Sequence, residues 1–382
     1  MSKISKRYIY SMIVKRSTTS SLKFSNKSKL DSLRFIMRLY RELVNSYINI
    51  LWGIPEHHKK IWIPKDIQKS VPTKLSAVLQ QKAGAEALRI IKSQINNNKK
   101  QKIKPTYNSN VLELDQRSVT FLEKESSFDL FIKFKNLGMR TIISCPVKLH
   151  AHYFKYNNWI RKKTVRIINR RGHFFIEFIF EKDIPQKETK RNLGIDIGVR
   201  KLMTDSNGNK YGTEIEPLIQ KIRRKKNGSK GQIRALRERN EYINRIIKEL
   251  PIDSNFILED LKGLKNKRNK RNSSYENKLR SKLHFWNYRK VLNGIKVFSE
   301  VVGVQCLKVP PAYTSQTCPV CGNRSKLNRP EFGEIFKCIL CGYENDSDIV
   351  GALNILKRGN GVSREDDGFP GDREVSSVGY IV

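Results

Sequence analysis

The sequence has no apolar run of about 18 residues, so nothing in it reads as a membrane-crossing helix. The apolar stretch from Tyr8 to Val14 is flanked by Lys and Arg and lacks a small-residue cleavage site. It reads as a strand, not a signal peptide. Acidic residues are scarce: 36 Asp and Glu stand against 75 Lys and Arg, a formal charge of +39 over 382 residues. A compact chain with that charge needs a polyanion, and nucleic acid comes before an anionic membrane surface. Cysteine is also sparse, at six. Four of the six form two C-x-x-C pairs. Without an export signal that points to metal rather than disulfides, and to an intracellular setting. No internal repeat and no coiled-coil pattern is visible. What is present is 38% hydrophobic and 9% aromatic, the composition of a folded chain with room for two or three cores. The charge is uneven. Residues 1–300 carry 66 basic and 26 acidic side chains, residues 301–382 only 9 and 10. Bulk phosphate binding therefore belongs to the first 300 residues.

Residues 5–24 read as extended, with Tyr8, Tyr10, Met12 and Val14 alternating with smaller or polar positions. From Asp31 the period changes. Leu33, Ile36, Met37, Tyr40, Val44, Tyr47, Ile48 and Leu51 recur at three and four, with Arg34, Arg38, Arg41 and Asn45 on the other side. This predicts an amphipathic helix with a basic outer face. A second helix is expected from about Ser76 to Asn96, ended by the polar Asn97 to Lys104. Residues 106–185 read as β, with runs at 119–122, 128–134, 141–145, 165–168 and 174–180 and a hairpin turn at Asn169 to Gly172. Short strands at this spacing predict a small barrel or sandwich holding a helical insertion. Beyond residue 190 come a strand (192–199), a hairpin turning at Ser206-Asn207-Gly208, and a basic helical stretch (214–250) broken near 227–231. A strand (255–261), a helix (275–302), a strand (303–309), a Cys-rich segment and a helix from about Asp348 to Lys357 complete the order. The Gly-, Asp- and Ser-rich tail from Arg358 reads as mobile.

Two constellations carry chemistry. Cys318-Pro-Val-Cys321 and Cys338-Ile-Leu-Cys341 stand 16 residues apart, each followed by Gly. Such knuckles aim two thiolates at one metal, and four sulfurs close a tetrahedral, structural zinc site. Cys145 and Cys306, within predicted strands, read as small core residues. The second set is acidic: Asp196 in Gly194-Ile-Asp-Ile-Gly198, Glu259 in Phe256-Ile-Leu-Glu-Asp-Leu261, and Asp348 at a helix start. Carboxylates in apolar strands are costly unless partnered. Two strand acids and one helix-start acid can converge on two Mg²⁺ ions about 3.5–4 Å apart, the arrangement for phosphodiester hydrolysis. The element order fits a ribonuclease H-like sheet. Each acid has an ordinary alternative: Asp196 bonding backbone, Glu259 pairing with a helix Arg, Asp348 capping. Asp205, Asp260 and Asp346 compete, though Asp205 belongs to a turn, Asp260 alternates away from Glu259, and Asp346 reads as a cap.

These residues carry a resemblance. Gly194-Ile-Asp-Ile-Gly198, Leu258-Glu-Asp-Leu261, Thr314-Ser-Gln-Thr-Cys-Pro-Val-Cys-Gly322, Cys341-Gly-Tyr-Glu-Asn-Asp-Ser-Asp348 and Ala352-Leu-Asn-Ile355 resemble the TnpB family, transposon-encoded RNA-guided DNA nucleases related to type V CRISPR effectors. The match covers most of residues 190–357, and the N-terminal half matches in layout only. The family's usual x-Asn-Ala-Ala after the third Asp reads here Ile349-Val350-Gly351-Ala352. The resemblance implies an α+β multidomain protein. A wedge-like β-barrel (1–27 and 105–188) is interrupted by a helical recognition lobe (28–104). A RuvC-like nuclease domain (189–312 and 346–357) carries an inserted zinc ribbon (313–345), and a tail (358–382) follows. Asp196, Glu259 and Asp348 match the metal-binding acids.

The implied function is RNA-guided, Mg²⁺-dependent DNA endonuclease, with a compact type V effector or a nuclease-inactive guide-dependent repressor as alternatives. Guide RNA and double-stranded target DNA would be its partners. The expected form is a monomer with one RNA, cytoplasmic and nucleoid-associated in a prokaryote-type cell. The basic residues fit. From Lys221 to Lys290 there are 22 Lys and Arg against 7 acids, too lopsided for helical ion pairing to absorb. Arg161, Lys162, Lys163, Arg170, Arg171, Arg223, Arg224, Lys225, Lys226, Lys267 and Arg268 are candidate phosphate contacts. Residues 262–272 are a candidate lid. Trp159, Trp286, Tyr288 and Tyr313 are either core or base-stacking residues.

Overall fold

The computed structural model describes residues 11–97, 103–123, 127–189, 191–198, 200–261, 287–330 and 333–361. The chain divides into two compact units, Lys15–Lys182 on one side and Met1–Val14 with Asp183–Val382 on the other. No helix among the described residues is long and apolar enough to cross a membrane.

The first unit is built on strands with helices inserted. After β1 (Ser11–Ser21) come α1 (Lys27–Leu51), α2 (Lys65–Ser70) and α3 (Ala77–Ile95). The strands β2 (Val111–Leu114), β3 (Val119–Glu123), β4 (Leu130–Phe134), β5 (Ile143–Val147), β6 (Ile160–Arg170) and β7 (His173–Pro185) follow. The three-and-four spacing buries Leu33, Ile36, Met37, Tyr40, Val44, Tyr47, Ile48 and Leu51 on α1, together with Leu43. Ser76 caps α3, its hydroxyl accepting the Leu79 N–H. The Asn169–Gly172 turn joins β6 to β7, with positive φ at Arg171 and Gly172 as a two-residue hairpin requires.

The expected barrel is not a closed one among the described residues. The strands form two sheets, ordered β1-β7-β6-β2 and β3-β4-β5, over one apolar core shared with α1 and α3. Pro146 in the edge strand β5 has no N–H to extend the ladder. β2 and α2 are too short for periodicity to reveal them. Tyr8, Tyr10 and residues 98–102 lie outside the described residues.

The second unit is a mixed sheet flanked by helices. Its elements are β8 (Arg191–Asp196), β9 (Met203–Asp205), β10 (Lys210–Tyr211), α4 (Ile215–Arg223), α5 (Lys230–Ile247), β11 (Ser254–Glu259), α6 (Tyr288–Val302), β12 (Cys306–Val309), β13 (Ile335–Lys337), β14 (Glu344–Asp346) and α7 (Ser347–Gly361). The sheet order is β10-β9-β8-β11-β12, with β8, β11 and β12 parallel and the β9–β10 hairpin antiparallel. Alternation along β11 divides the core. Phe256 and Leu258 pack with Ile243, Ile247, Val291 and Ile295 of α5 and α6, and Ile257 packs with Ile355 of α7. The helix expected from 275 is described from Tyr288 onward. Residues 262–286 and the tail after Gly361 lie outside the described residues.

Gly194 sets how closely α7 approaches β8. A Cβ there would stand 2.7 Å from the Leu356 backbone nitrogen and closer still to the Ala352 carbonyl oxygen. Glycine lets helix backbone lie directly on strand backbone.

Candidate active site and metal centre

Asp196 ends β8 and Glu259 ends β11, and the parallel register pairs Leu258 with Ile195. The two acids therefore emerge side by side at the carboxyl ends of neighbouring strands, where open α/β sheets place their ligands. Asp348 lies in the first turn of α7, the helix seated on Gly194. Gly351, one turn on, sits so near that a Cβ would be 3.3 Å from the Asp196 carboxyl carbon. Here the chain departs from the family's Ala, and the space is taken by the carboxylate. Val350, in place of the family's Asn, is buried with Cys318, Phe336 and Cys338 of the ribbon.

The electrostatics show how little compensates these acids. Burial, then Glu259, then Asp348 push the Asp196 carboxyl up to about 8, against the Ile197 N–H and the Arg329 charge. Burial also raises Glu259, offset by a hydrogen bond from the Thr314 hydroxyl and by the charge of Arg358. The Lys201 ammonium lies 3.4 Å from one Asp348 oxygen. The carboxylate oxygens do not gather within the 4.8 Å that encloses the four cysteine sulfurs.

Two of the competing acids, Asp205 and Asp346, are committed to other partners. Asp205 is fully buried and accepts from the Asn207 and Asn209 N–H groups, the Asn209 side chain and the Tyr211 hydroxyl. Asp346 accepts the Asp348 N–H at 2.9 Å, as a helix-start residue does, and pairs with Lys201 and Lys210. Burial works against its charge, but Lys210, the Asp348 N–H and Lys201 hold its carboxyl down at about 2.

Three further residues stand at this site: Thr314 and Asn354 lie in segments that carry the family resemblance but had no role read from the sequence, and Arg329 carried no sequence signal. Arg329 follows a single 3₁₀ turn (Lys326–Asn328) and acts on Asp196 through charge, its Nε buried without a hydrogen-bond partner among the described residues. Thr314 is buried against Glu259, and Asn354 donates to the Thr314 and Thr317 carbonyls, both at 2.7 Å. Local pattern does not reveal the role of a single Arg, Thr or Asn, even one inside a family motif.

The four cysteines converge. The Cys318 and Cys341 sulfurs are 3.7 Å apart and those of Cys321 and Cys338 3.6 Å, and all four lie within 4.8 Å of one another. A tetrahedron with metal–sulfur bonds of about 2.3 Å has edges of roughly 3.8 Å, so the donor set and spacing fit zinc. Each knuckle closes alike: the Gly322 N–H donates to the Cys318 carbonyl and the Gly342 N–H to the Cys338 carbonyl, both at 3.0 Å. Both glycines have positive φ, 78° and 73°, where a side chain would be strained. The Cys341 and Leu340 N–H groups pull the Cys338 thiol down, while, against the pull of the Asn323 N–H, burial and the neighbouring Cys341, Cys338 and Cys318 thiols push Cys321 up. Cys145 is buried in the first unit's core, and burial pushes half-buried Cys306 up to about 11. Neither lies with the four.

The basic candidates separate by environment. Arg161 donates to Glu123 and the Tyr153 hydroxyl and lies over the Phe121 ring, and Lys162 pairs with Glu181. Both are committed within the first unit. Lys163 and Arg171 are exposed, and half-buried Arg170 lies over Phe175. Arg223, Arg224, Lys225 and Lys226 end α4 and lead into the α4–α5 turn, all exposed and none ion-paired among the described residues. Lys267, Arg268 and Trp286 lie outside the described residues. Tyr288 is core, Trp159 packs at the edge of the first unit's core, and Tyr313 is exposed beneath the Arg324 guanidinium.

Residues 288–355 match the family model for the Cas12f1-like TNB domain. Over 303 residues the chain is 27% identical to a CRISPR-associated endodeoxyribonuclease Cas12f2 of Micrarchaeota archaeon strain CG1_02_47_40, covering 66% of this chain and 54% of the relative. Over 122 residues it is 35% identical to a TnpB-like protein of Methanocaldococcus jannaschii, covering 31% of this chain and 51% of the relative. The matches thus span about half the length of these relatives. Among solved structures, a Cas12f1 chain in a complex with sgRNA and target DNA superimposes with a TM-score of 0.53 at 17% identity, over 87% of this chain and 83% of that one. That likeness shows a shared α+β fold. Family model, relatives and fold agree in direction: the chain is similar to proteins of the TnpB/Cas12f type.

Proposed function

We propose that the chain is an RNA-guided, Mg²⁺-dependent DNA endonuclease, transposon-associated, whose second unit is a RuvC-like nuclease domain interrupted by a structural zinc ribbon. The observation that carries this is the placement of Asp196 and Glu259 at the ends of adjacent parallel strands with Asp348 at the start of the helix packed over them, near enough that burial and then the other two carboxylates raise Asp196. Burial and the neighbouring carboxylates disfavour a charged Asp196 on its own, a cost that a bound cation would relieve. All-carboxylate donors suit a hard ion such as Mg²⁺. Bound there, a pair of such ions would activate water and stabilise the leaving oxygen of a phosphodiester.

The chain's own residues do the rest. Asp196 and Glu259, fixed on adjacent strands, and Asp348, fixed by α7, would hold the metals in register. Arg329 and Lys201 add positive charge where a scissile phosphate would lie. The zinc knuckles brace the end of the sheet. In the first unit, the two sheets would correspond to the wedge-like barrel and α1–α3 to a helical recognition lobe, holding guide RNA and a short motif beside the target. Base pairing would supply the specificity, as in other guided nucleases. Lys163, Arg170 and Arg171 would meet phosphates there, and the α4–α5 turn would do so in the second unit.

The test is plasmid cleavage by the protein with its copurifying RNA. Asp196→Ala is expected to abolish cutting in Mg²⁺ while the RNA stays bound. Full cutting by that variant, or no cutting of a matched target by the unaltered protein, would sink the assignment.

A further inference from the structure

We infer that Thr314 is the positioning residue of the Glu259 carboxylate, and that α7 holds it in place through Asn354 and Arg358. The inference rests on the proposed metal-ion nuclease reading and names a part of that site.

Glu259 is a half-buried acid, and it accepts a side-chain hydrogen bond from the Thr314 hydroxyl. That hydroxyl has one proton. The alternative acceptor, the Pro311 carbonyl, is 3.3 Å away, so the carboxylate takes the bond. A donor on one oxygen fixes the carboxylate's rotation and leaves its other lone pairs for a cation.

Thr314 is itself held from several sides. Asn354 donates to the Thr314 and Thr317 carbonyls, and Arg358 donates to the Pro310 and Ala312 carbonyls. Asn354 and Arg358 are four residues apart, so they present both staples from one face of α7. Tyr313, just before Thr314, has φ 65°, a conformation a non-glycine residue keeps only when its surroundings impose it. Cys318 of the first knuckle follows four residues later. One helix thus carries the third carboxylate at its start and, further along, the clasp that aims the second. The segment leading into the cysteine cluster is thus held by α7 on one side and by the Cys318 knuckle on the other.

The experiment uses the full chain with its guide RNA and Mn²⁺ as probe, titrated by electron paramagnetic resonance. Zinc content and melting temperature are measured on the same samples. Thr314→Val, of equal shape but without the hydroxyl, is expected to weaken Mn²⁺ binding about 10- to 100-fold and to raise the Mg²⁺ needed for half-maximal cleavage by the same factor. It should keep its zinc and its fold, melting only as much lower as the loss of one hydrogen bond requires. Thr314→Ser should restore binding. Wild-type Mn²⁺ affinity in Thr314→Val overturns the inference, as does loss of zinc in that variant or equal damage in Thr314→Ser, since packing would then be the cause. Glu259→Gln is the separate control. If the unaltered protein binds Mn²⁺ no better than Glu259→Gln, or cuts no DNA, the nuclease reading itself has failed, whatever Thr314 does.

Discussion

Gly194→Ala tests whether the backbone contact between β8 and α7 holds the site together. The added methyl would stand 2.7 Å from the Leu356 nitrogen and nearer still to the Ala352 carbonyl oxygen, where Cβ atoms essentially never come under 3.0 Å. Both atoms are helix backbone, so no side-chain rotation relieves the clash, and α7 must retreat. Restoring ordinary contact needs a shift of about 1 Å, and a misplacement of that size in a catalytic array costs about 100-fold in rate. The shift moves Asp348 from Asp196, because Asp348 rides on the same helix. Overpacking of this kind costs about 1–3 kcal/mol. For a unit of this size that lowers the melting temperature by roughly 2–12 °C. The assay is thermal melting together with single-turnover cleavage at saturating Mg²⁺. A Gly194→Ala protein that melts and cuts like the unaltered one would refute the claim that this approach sets the carboxylate geometry.

Other perturbations address the remaining parts. Asp196 has a folded value near 8 against 3.8 in the unfolded chain, so its contribution is fully present below about pH 4 and is lost as pH rises through 8. In Mg²⁺-free buffer the unaltered protein should melt lower at pH 9 than at pH 6. Asp196→Asn should remove most of that slope, and an unchanged slope would count against Asp196 as its source. The purified protein should hold one zinc per chain by elemental analysis. Cys338→Ser should lose most of it and open residues 313–345 to protease, whereas full zinc retention would show that the ribbon does not need all four thiolates. Replacing Arg223, Arg224, Lys225 and Lys226 together by Gln should lower the log–log salt slope of nucleic-acid binding by about 3 if all four meet phosphates, with melting unchanged. An unaltered slope would remove the α4–α5 turn from the nucleic-acid surface.

What the sequence determined by itself is what local pattern encodes. The three-and-four spacing of Leu33 to Leu51 predicted a helix and its buried face, and the observed helix buries every one of those residues. Asn169 to Gly172 predicted a hairpin, because few residue pairs tolerate positive φ at both centres. The cysteine pairs predicted one four-sulfur cluster, since ligand type and spacing are written in the chain. Asp196 and Glu259 were legible as exceptions, charges lodged in apolar runs, and Asp348 by its place at a helix start.

Tertiary structure decided the rest. Whether seven N-terminal strands close into a ring depends on edge pairing between distant segments, and here they form two sheets. Of the basic residues, pattern could not tell Arg161 and Lys162, spent on Glu123 and Glu181, from exposed Lys163. Arg329, Thr314 and Asn354 have meaning only through what they face, and those partners are far off in sequence: Thr314 meets a carboxylate 55 residues away. Secondary structure and metal-ligand motifs are short-range chemistry that a sequence displays directly. The environment of a single polar side chain is a property of the packed fold.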